Sequence, residues 1–175
     1  MMNRGFRARL GVRMALYVVT ACLAGCMSRP AVDNTSVSTL DLDRYLGSWY
    51  EIARFDHSFE CGVEEAKAAY TLNRDGTIKV VNSGIKAGKP KTAVGKGKRT
   101  DRPGLLRVSF FGPFYADYRV MMIDKDYSYA LVGSGGAGYL WILSRTRTLP
   151  AAAKSAILAE ATRRGYDTSK LIWVK

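Results

Sequence analysis

The stretch that decides the fold is LDLDRYLGSWYEIARF, residues 40–55. It holds a short apolar segment, Leu42–Leu46, and then an apolar and aromatic run, Trp49–Phe55. Gly47 separates the two, and after it the chain breaks into short runs. A short apolar and aromatic run beside a turn residue is typical of a β-strand. The sequence therefore predicts a first strand that begins near Trp49.

Seven more short runs follow downstream at regular spacing. They are Ala66–Leu72, Thr77–Asn82, Thr92–Thr100, Leu105–Phe111, Tyr115–Ile123, Tyr127–Val132 and Tyr139–Ser144. The turn sequence Asn73-Arg74-Asp75-Gly76 joins two of them into a predicted hairpin. Strands at this spacing predict an all-β domain, either a sandwich or a closed meander.

One segment has helical periodicity instead. In Pro150–Arg164 the apolar residues Ala153, Ile157, Leu158 and Ala161 recur at helical spacing. Thr148 is placed to cap the start of this helix and Gly165 to end it. Its apolar stripe needs a surface to cover, and the outside of a barrel offers one. Leu171–Val174 then predicts a short closing strand.

The residues upstream of the fold have the pattern of an export signal. Residues 1–13 carry four arginines and no acid, and residues 14–24, MALYVVTACLA, carry no charge. This apolar run is too short to span a bilayer stably. The following Leu23-Ala24-Gly25-Cys26 resembles the lipobox of bacterial lipoproteins, in which the cysteine thiol takes the lipid. We expect residues 1–25 to be a cleaved signal peptide and Cys26 to be lipidated.

The segment after Cys26 predicts a tether and a location. Residues 28–40 are rich in Ser, Thr and Pro and lack periodicity, so 26–40 is interpreted as a lipidated tether and 41–175 as the domain. Met27 follows the lipidated cysteine, and an Asp there would signal retention in the inner membrane. The resemblance to lipoproteins thus implies a lipid anchor in the outer membrane, with the periplasmic or external orientation left open.

The amino-acid composition limits the kinds of functional site that the chain can form. The 175 residues carry 27 Lys and Arg against 15 Asp and Glu, a net charge of +12, with one His and three Cys. This leaves little material for a zinc site, a catalytic triad or a disulfide framework, so we expect no metal and no cofactor. A basic surface suits nucleic acid or an anionic membrane, and export argues against nucleic acid. A basic stretch over residues 86–102 is either a solvated face or a surface for anionic lipid.

Three signatures carry a family resemblance. Gly47-Ser48-Trp49-Tyr50 resembles the G-x-W signature of the lipocalins, and Ile123–Val132, with Asp126-Tyr127, resembles their second signature. Arg145 stands where the third signature places its arginine. Over about residues 40–175 the chain resembles the bacterial outer-membrane lipocalins. The resemblance implies an eight-stranded up-and-down antiparallel β-barrel, a calyx, with one C-terminal helix packed outside.

We expect the signature residues to be structural. An eight-stranded barrel must be shut against water at one end, and the Trp49 ring is large enough to do so. Arg145 is expected to lie across that ring while its donors bind strand-end carbonyls. Gly47 permits close approach of the chain, and Asp126 and Tyr127 complete the signature set.

The resemblance also implies a hydrophobic small-molecule ligand, a fatty acid or lysophospholipid. Large, adaptable side chains support a cavity for an acyl chain. The candidate ligand-binding residues are Phe55, Phe59, Phe110, Tyr118, Arg119, Met121, Tyr129, Tyr139 and Trp141. If its face points inward, Arg119 is the candidate for an anionic head group. Plain barrel packing is the alternative for each aromatic residue.

Other motifs are given no functional role. Gly133–Gly138 matches G-x-G-x-x-G but is followed by a strand instead of a helix, so it predicts a hairpin loop. His57, the only histidine, is expected on a loop surface. Cys61 has Glu60, Glu64 and Glu65 nearby, which argues against a reactive thiolate.

The leading hypothesis is non-enzymatic binding, storage or transport of membrane lipids by an anchored lipoprotein. A second hypothesis is a lipid-modifying or peroxide-reducing activity that depends on Cys61. A third is a surface lipoprotein with a filled barrel that binds a protein partner. A homodimer is left open.

Overall fold

The structure is a computed structural model that describes residues 32–174. The predicted signal peptide, Cys26 and the first part of the tether lie outside the described residues. Within residues 32–174 no helix is long and apolar enough to cross a bilayer.

Eight antiparallel strands form a closed barrel. They are β1 (Gly47–Arg54), β2 (Val63–Leu72), β3 (Ile78–Lys86), β4 (Lys89–Arg99), β5 (Leu105–Phe111), β6 (Phe114–Ile123), β7 (Tyr129–Ser134) and β8 (Gly136–Ser144). Each strand pairs with the next, and β1 pairs with both β2 and β8. The predicted up-and-down barrel is confirmed, and the sandwich alternative is wrong.

The two ends of the barrel differ. In an up-and-down barrel every second connection lies at the same end. Helix α1 (Leu42–Tyr45) and the turns after β2, β4 and β6 lie at one end, which we call the closed end. The other end, the open end, carries the loop 55–62 and the hairpin turns after β3, β5 and β7.

Two apolar clusters follow from strand alternation. The inner cluster lies inside the barrel, with Trp49 at the closed end, and includes Trp49, Tyr70, Leu106, Val120 and Leu143. The outer cluster lies between the barrel wall and helix α2 (Ala151–Arg163), and includes Ile52, Leu131, Leu140, Ile142 and Ile157. The predicted helix therefore packs outside the barrel, as expected.

The start of helix α2 differs from the prediction. Pro150 is the N-cap, and no side chain caps the helix there, so the proposed cap by Thr148 is wrong. The Thr148 carbonyl instead accepts a hydrogen bond from the Thr146 hydroxyl at 2.7 Å. Gly165 follows the helix with φ +86°, a conformation that glycine adopts without steric cost.

The C-terminal segment connects helix α2 to the barrel wall. A 3₁₀ helix (Thr168–Lys170) precedes β9 (Ile172–Trp173), which pairs with Ala53 and Arg54 of β1. Arg164 is buried and donates to the carbonyl of Met121 at 2.8 Å.

The β3–β4 hairpin is longer than the sequence predicts. Both strands continue to a tight turn at Ala87 and Gly88, which have φ +50° and +72°. Gly84 conceals the strand pattern because it lacks an apolar side chain. A Cβ at Gly84 would lie 2.8 Å from the Glu64 carbonyl oxygen, so only glycine lets β2 and β3 meet there.

Candidate functional site

The closed end is sealed by an aromatic ring and a cation. The Trp49 side chain is fully buried and donates to the Tyr45 carbonyl at 2.8 Å. The Arg145 guanidinium carbon lies 3.8 Å from the centroid of the Trp49 ring. Arg145 also donates to the carbonyls of Ser48 and Leu46, at 2.8 and 2.9 Å. These contacts satisfy strand-end carbonyls and exclude water, and they place both residues away from the open end.

Gly47 and Tyr127 complete this seal. Gly47 has φ +90°, and a Cβ there would lie 3.4 Å from the Arg145 guanidinium. The Tyr127 hydroxyl accepts the backbone N–H of Asp41 at 2.8 Å, and its carbonyl accepts from Arg145 at 3.2 Å. The segment that enters the barrel is thereby fixed to the β6–β7 turn.

Within that turn, the structural carboxylate is Asp124. Its oxygen accepts the backbone N–H of Tyr129 at 2.8 Å and that of Ser128. Asp126, the signature residue, points into solvent and pairs with Lys125 at 2.8 Å. Asp124 is not evident from the signature, which places its aspartate directly before the tyrosine.

Three tyrosine hydroxyls form a chain above the seal. Tyr118 contacts the hydroxyls of Tyr45 and Tyr70 at 2.7 and 2.9 Å. Burial raises the pKa of all three phenols. They therefore stay neutral and give the barrel interior a polar but uncharged layer.

A buried charged cluster lies toward the open end. We define it as Glu51, Arg54 and Glu60. Arg54 is only 3% exposed and donates to the Glu51 carboxylate at 2.6 Å. It also donates to the backbone carbonyls of Glu60 and Val63 at 2.8 and 3.1 Å. The Trp141 indole N–H donates to the Glu60 carboxylate at 3.0 Å, which joins the cluster to the aromatic wall.

The cluster holds one guanidinium and two carboxylates, and the guanidinium bonds only the carboxylate of Glu51. Burial, and then the charge of Glu60, raise the pKa of Glu51 to about 7, although Arg54 opposes the shift. Burial also raises the pKa of Glu60, against the hydrogen bond from Trp141 and the charges of Arg54 and Lys91. Near neutral pH the cluster therefore exchanges a proton, and its net charge moves between zero and negative.

Aromatic rings crowd the open end around His57. This residue is 7% exposed and stacks on Phe59 and Tyr139, with ring centroids 5.3 and 4.8 Å apart. The expectation of a loop-surface histidine is wrong, because the loop 55–62 folds back over the barrel. Burial, and then the charge of Arg54, lower the pKa of His57. An open recess of about 320 Å³ lies beside the ring, lined by Asp56, His57, Ser58, Phe59, Gly138 and Tyr139.

The predicted ligand-binding residues fall into three places. Phe110, Tyr118 and Trp141 pack against the inner cluster, so they line the interior. Phe59 and Tyr139 lie at the open end and are 54% and 42% exposed. Through His57, the rings of Phe59, Tyr139 and Trp141 form an aromatic path from the open end to the charged cluster.

The other candidates lie outside the barrel, which corrects the prediction. Phe55, Met121 and Tyr129 belong to or pack against the outer cluster beneath helix α2. The irregular register of β1 and β6 is one reason, because a bulge changes which side chains face inward. Alternation correctly put Arg119 and Met121 on one face, but that face is the outer one.

Arg119 is therefore no head-group ligand in the interior. It pairs with Asp117 at 2.7 Å on the outer wall. A larger recess, about 570 Å³, lies beside it between segment 34–38 and residues 101–103.

Sequence reasoning missed Glu51 and Arg54. The signal was present, because Glu51 stands two residues after Trp49 in a strand and so shares its inward face. A charged residue on the face of a buried tryptophan points to a polar site inside the barrel.

Cys61 lies exposed in the loop 55–62. Within residues 32–174 no hydrogen bond joins it to a base, and no three metal-ligating side chains cluster. The open end thus carries exposed aromatic side chains above a buried charged cluster.

Comparisons with known proteins agree with this geometry. Residues 40–175 match the family described as a lipocalin-like domain. The chain is 46% identical to outer membrane lipoprotein Blc of Escherichia coli K12 over 165 residues, 92% of each chain. It is 40% identical to the protein of that name from Vibrio cholerae, covering 91% of this chain and 96% of that one.

A solved structure supports the fold alone. Insecticyanin from the tobacco hornworm Manduca sexta superposes with a TM-score of 0.68 at 21% identity, covering 81% of this chain and 83% of that one. The barrel topology, the family match and the identity to bacterial relatives agree, and the chain belongs to the lipocalin family.

Proposed function

We propose that this lipocalin binds membrane lipids, fatty acids or lysophospholipids, in its barrel without chemical conversion. The observation that carries the proposal is the charged cluster of Glu51, Arg54 and Glu60, buried below the open end of an otherwise aliphatic and aromatic interior. An acyl chain suits the aromatic path, and a polar head group suits the cluster.

The charge of the cluster favours one lipid class. With both glutamates ionised the cluster carries a net negative charge, which repels a fatty-acid carboxylate. A lysophospholipid with a cationic nitrogen offers a partner for the glutamates, while Arg54 is a partner for its phosphate. We therefore expect lysophosphatidylethanolamine to bind more tightly than a fatty acid above neutral pH.

We also propose that a lipid on Cys26 holds the protein at the outer membrane, where it stores or carries lipid. The lipobox resemblance supports this, and the relatives named above are called outer membrane lipoproteins. Replacing Cys26 by serine is expected to give an uncleaved or unanchored chain. Normal membrane fractionation of the Cys26→Ser chain would contradict the anchor.

Ligand displacement tests the binding proposal. The purified full chain is loaded with a fluorescent fatty acid and titrated with lysophosphatidylethanolamine at pH 8. We expect saturable, one-to-one displacement, weakened in Arg54→Met and unchanged in Arg107→Met, which alters an outer-wall arginine. Absence of saturable binding would overturn the proposal.

The Cys61-dependent activity and the filled barrel with a protein partner stay hypotheses. No contact of the described residues favours either one over lipid binding.

A further inference from the structure

Three phenylalanine rings project from the open end with little cover. Phe111 and Phe114 are 81% and 78% exposed, and Phe59 is 54% exposed. We call these three residues the aromatic rim. Single exposed apolar residues are common, but several large rings at one end of a small domain indicate a contact surface.

The β5–β6 turn, which carries two of these rings, is held by hydrogen bonds. Phe111 and Phe114 are cross-strand partners on either side of the β5–β6 turn. The Ser109 hydroxyl donates to the Gly112 carbonyl at 3.0 Å and accepts the Phe111 N–H at 3.2 Å. Gly112 has φ +53°, which tightens the turn. The rings are therefore held outward by backbone geometry.

Basic side chains flank the aromatic rim. Lys86 and Lys89 are exposed on either side of the β3–β4 turn, at the same end of the barrel. The Lys91 ammonium donates to the Phe59 carbonyl at 3.2 Å, so this hairpin lies next to the rim. Exposed aromatic rings beside lysines are typical of surfaces that bind the interface of an anionic bilayer.

The direction of the N-terminal segment points to the same end. Asn34 donates to the carbonyl of Ser134, the last residue of β7, at 3.0 Å, while Arg164 joins the carbonyls of Asp33 and Thr35 to the wall at Met121. Val37 then pairs with the carbonyl of Val120, and Asp41 reaches the closed end. From the side of β7 that leads to the open end, the segment thus runs toward the closed end.

The number of residues between Cys26 and Val32 limits how far a lipid anchor can lie from the barrel. Cys26 precedes Val32 by six residues, which span at most about 20 Å when extended. The closed end lies in the other direction along the chain, beyond Val37 and Asp41. Because the chain leads away from the closed end toward Val32, an anchor on Cys26 reaches the open end more easily than the closed end.

From these observations we propose that the open end of the barrel faces a phospholipid bilayer, with Phe111 and Phe114 inserted at its interface. The orientation rests on the proposed anchor at Cys26, whereas the aromatic contact does not, and neither depends on the identity of the ligand. In this orientation lipid passes between membrane and barrel without crossing bulk water.

Depth-dependent quenching tests the orientation. The lipidated full chain is reconstituted in vesicles of phosphatidylethanolamine and phosphatidylglycerol that contain a brominated phospholipid. One sample carries an environment-sensitive fluorophore on Cys61, at the open end. The other carries it on Arg74→Cys in a Cys61→Ser background, at the closed end. We expect strong quenching from Cys61 and little from position 74.

Substitutions at the rim supply the matched comparison. Phe111→Ser with Phe114→Ser is expected to reduce quenching at Cys61 by about threefold or more, because two rings no longer leave water. Leu72→Ser, at an exposed apolar residue of the closed end, is expected to leave it unchanged. The three substituted residues are exposed, so we expect the variants to stay folded. Thermal unfolding checks this.

Each result that would contradict the proposal points to a different part of it. Vesicle-bound protein that is quenched equally at both ends, or only at position 74, overturns the orientation while the anchor stands. Protein that fails to bind vesicles at all overturns the anchor and the orientation together. If the rim substitutions change the mass in detergent but not the quenching, the rim is a dimer interface. Ligand displacement is measured separately, so its failure concerns the proposed function alone.

Discussion

Replacing Glu51 by glutamine tests the charged cluster most sharply. Glutamine keeps the shape of the side chain and removes its charge and its titration. Glu51 is nearly buried, at 9% side-chain exposure, and accepts from Arg54 at 2.6 Å. The prediction concerns the way in which the free energy of unfolding depends on pH.

The magnitude follows from proton linkage. Burial, and then the charge of Glu60, raise the pKa of Glu51 to about 7, from an ordinary value of 4.5. Between these values the folded state holds a proton that the unfolded chain releases, so stability falls as pH rises through this window. A shift of about 2.5 pH units corresponds to about 3 kcal/mol.

Two neighbours also titrate. Glu60 has its pKa raised by burial, and so it adds to the same loss with rising pH. Burial and the charge of Arg54 lower the pKa of His57 from its ordinary value of 6.5. This shift has the opposite effect on stability, because His57 makes the folded state more stable as the pH rises toward 6.5. The difference between wild type and Glu51→Gln isolates the Glu51 contribution together with its coupling to Glu60.

Guanidinium unfolding of both chains at pH 5, 6, 7 and 8 measures the effect. The wild type is expected to lose about 3 kcal/mol more than Glu51→Gln across this range. Asp101→Asn, at an exposed acid of the β4–β5 turn at the closed end, serves as the matched control. Identical slopes for wild type and Glu51→Gln would refute the reasoning.

Three further substitutions test the rest of the barrel. Trp49→Ala is expected to lose about 3–5 kcal/mol of unfolding free energy, since the ring is fully buried; wild-type stability would contradict the seal. Arg54→Met is expected to lose about 3–5 kcal/mol at pH 8 and less at pH 5, because ionised glutamates are left unpaired; equal losses at both pH values would count against it. Gly84→Ala is expected to lose about 1–3 kcal/mol, because its Cβ would lie 2.8 Å from the Glu64 carbonyl oxygen; an unchanged melting temperature would contradict the close approach.

Most of the architecture was accessible from sequence. Turn residues such as Asn73–Gly76 and Gly112-Pro113 divide the chain into strands, and Ile157 and Ala161 mark the buried face of the helix. These features are local, because turn chemistry and periodicity act over a few residues. The β3–β4 hairpin was underestimated because Gly84 and the lysines near it carry no apolar alternation.

The candidate site was less accessible because it depends on which face of a strand points inward. Alternation relates Arg119 to Met121, but only the closed sheet shows that both point outward. Register irregularities in β1 and β6 shift the pattern further. His57 was misplaced because its burial results from contacts with Tyr139 and Trp141, which lie far away in sequence.

One measurement tests the central claim most directly. In a ¹H–¹⁵N spectrum of the full chain, the indole N–H signals of Trp49, Trp141 and Trp173 are assigned and followed while lysophosphatidylethanolamine is added. The account predicts that one equivalent shifts the Trp141 signal, because this N–H bonds Glu60 at the charged cluster. It also predicts that the signals of Trp49, in the seal, and of Trp173, outside the barrel, stay in place. An unchanged Trp141 signal at saturating lipid would contradict lipid binding in the barrel.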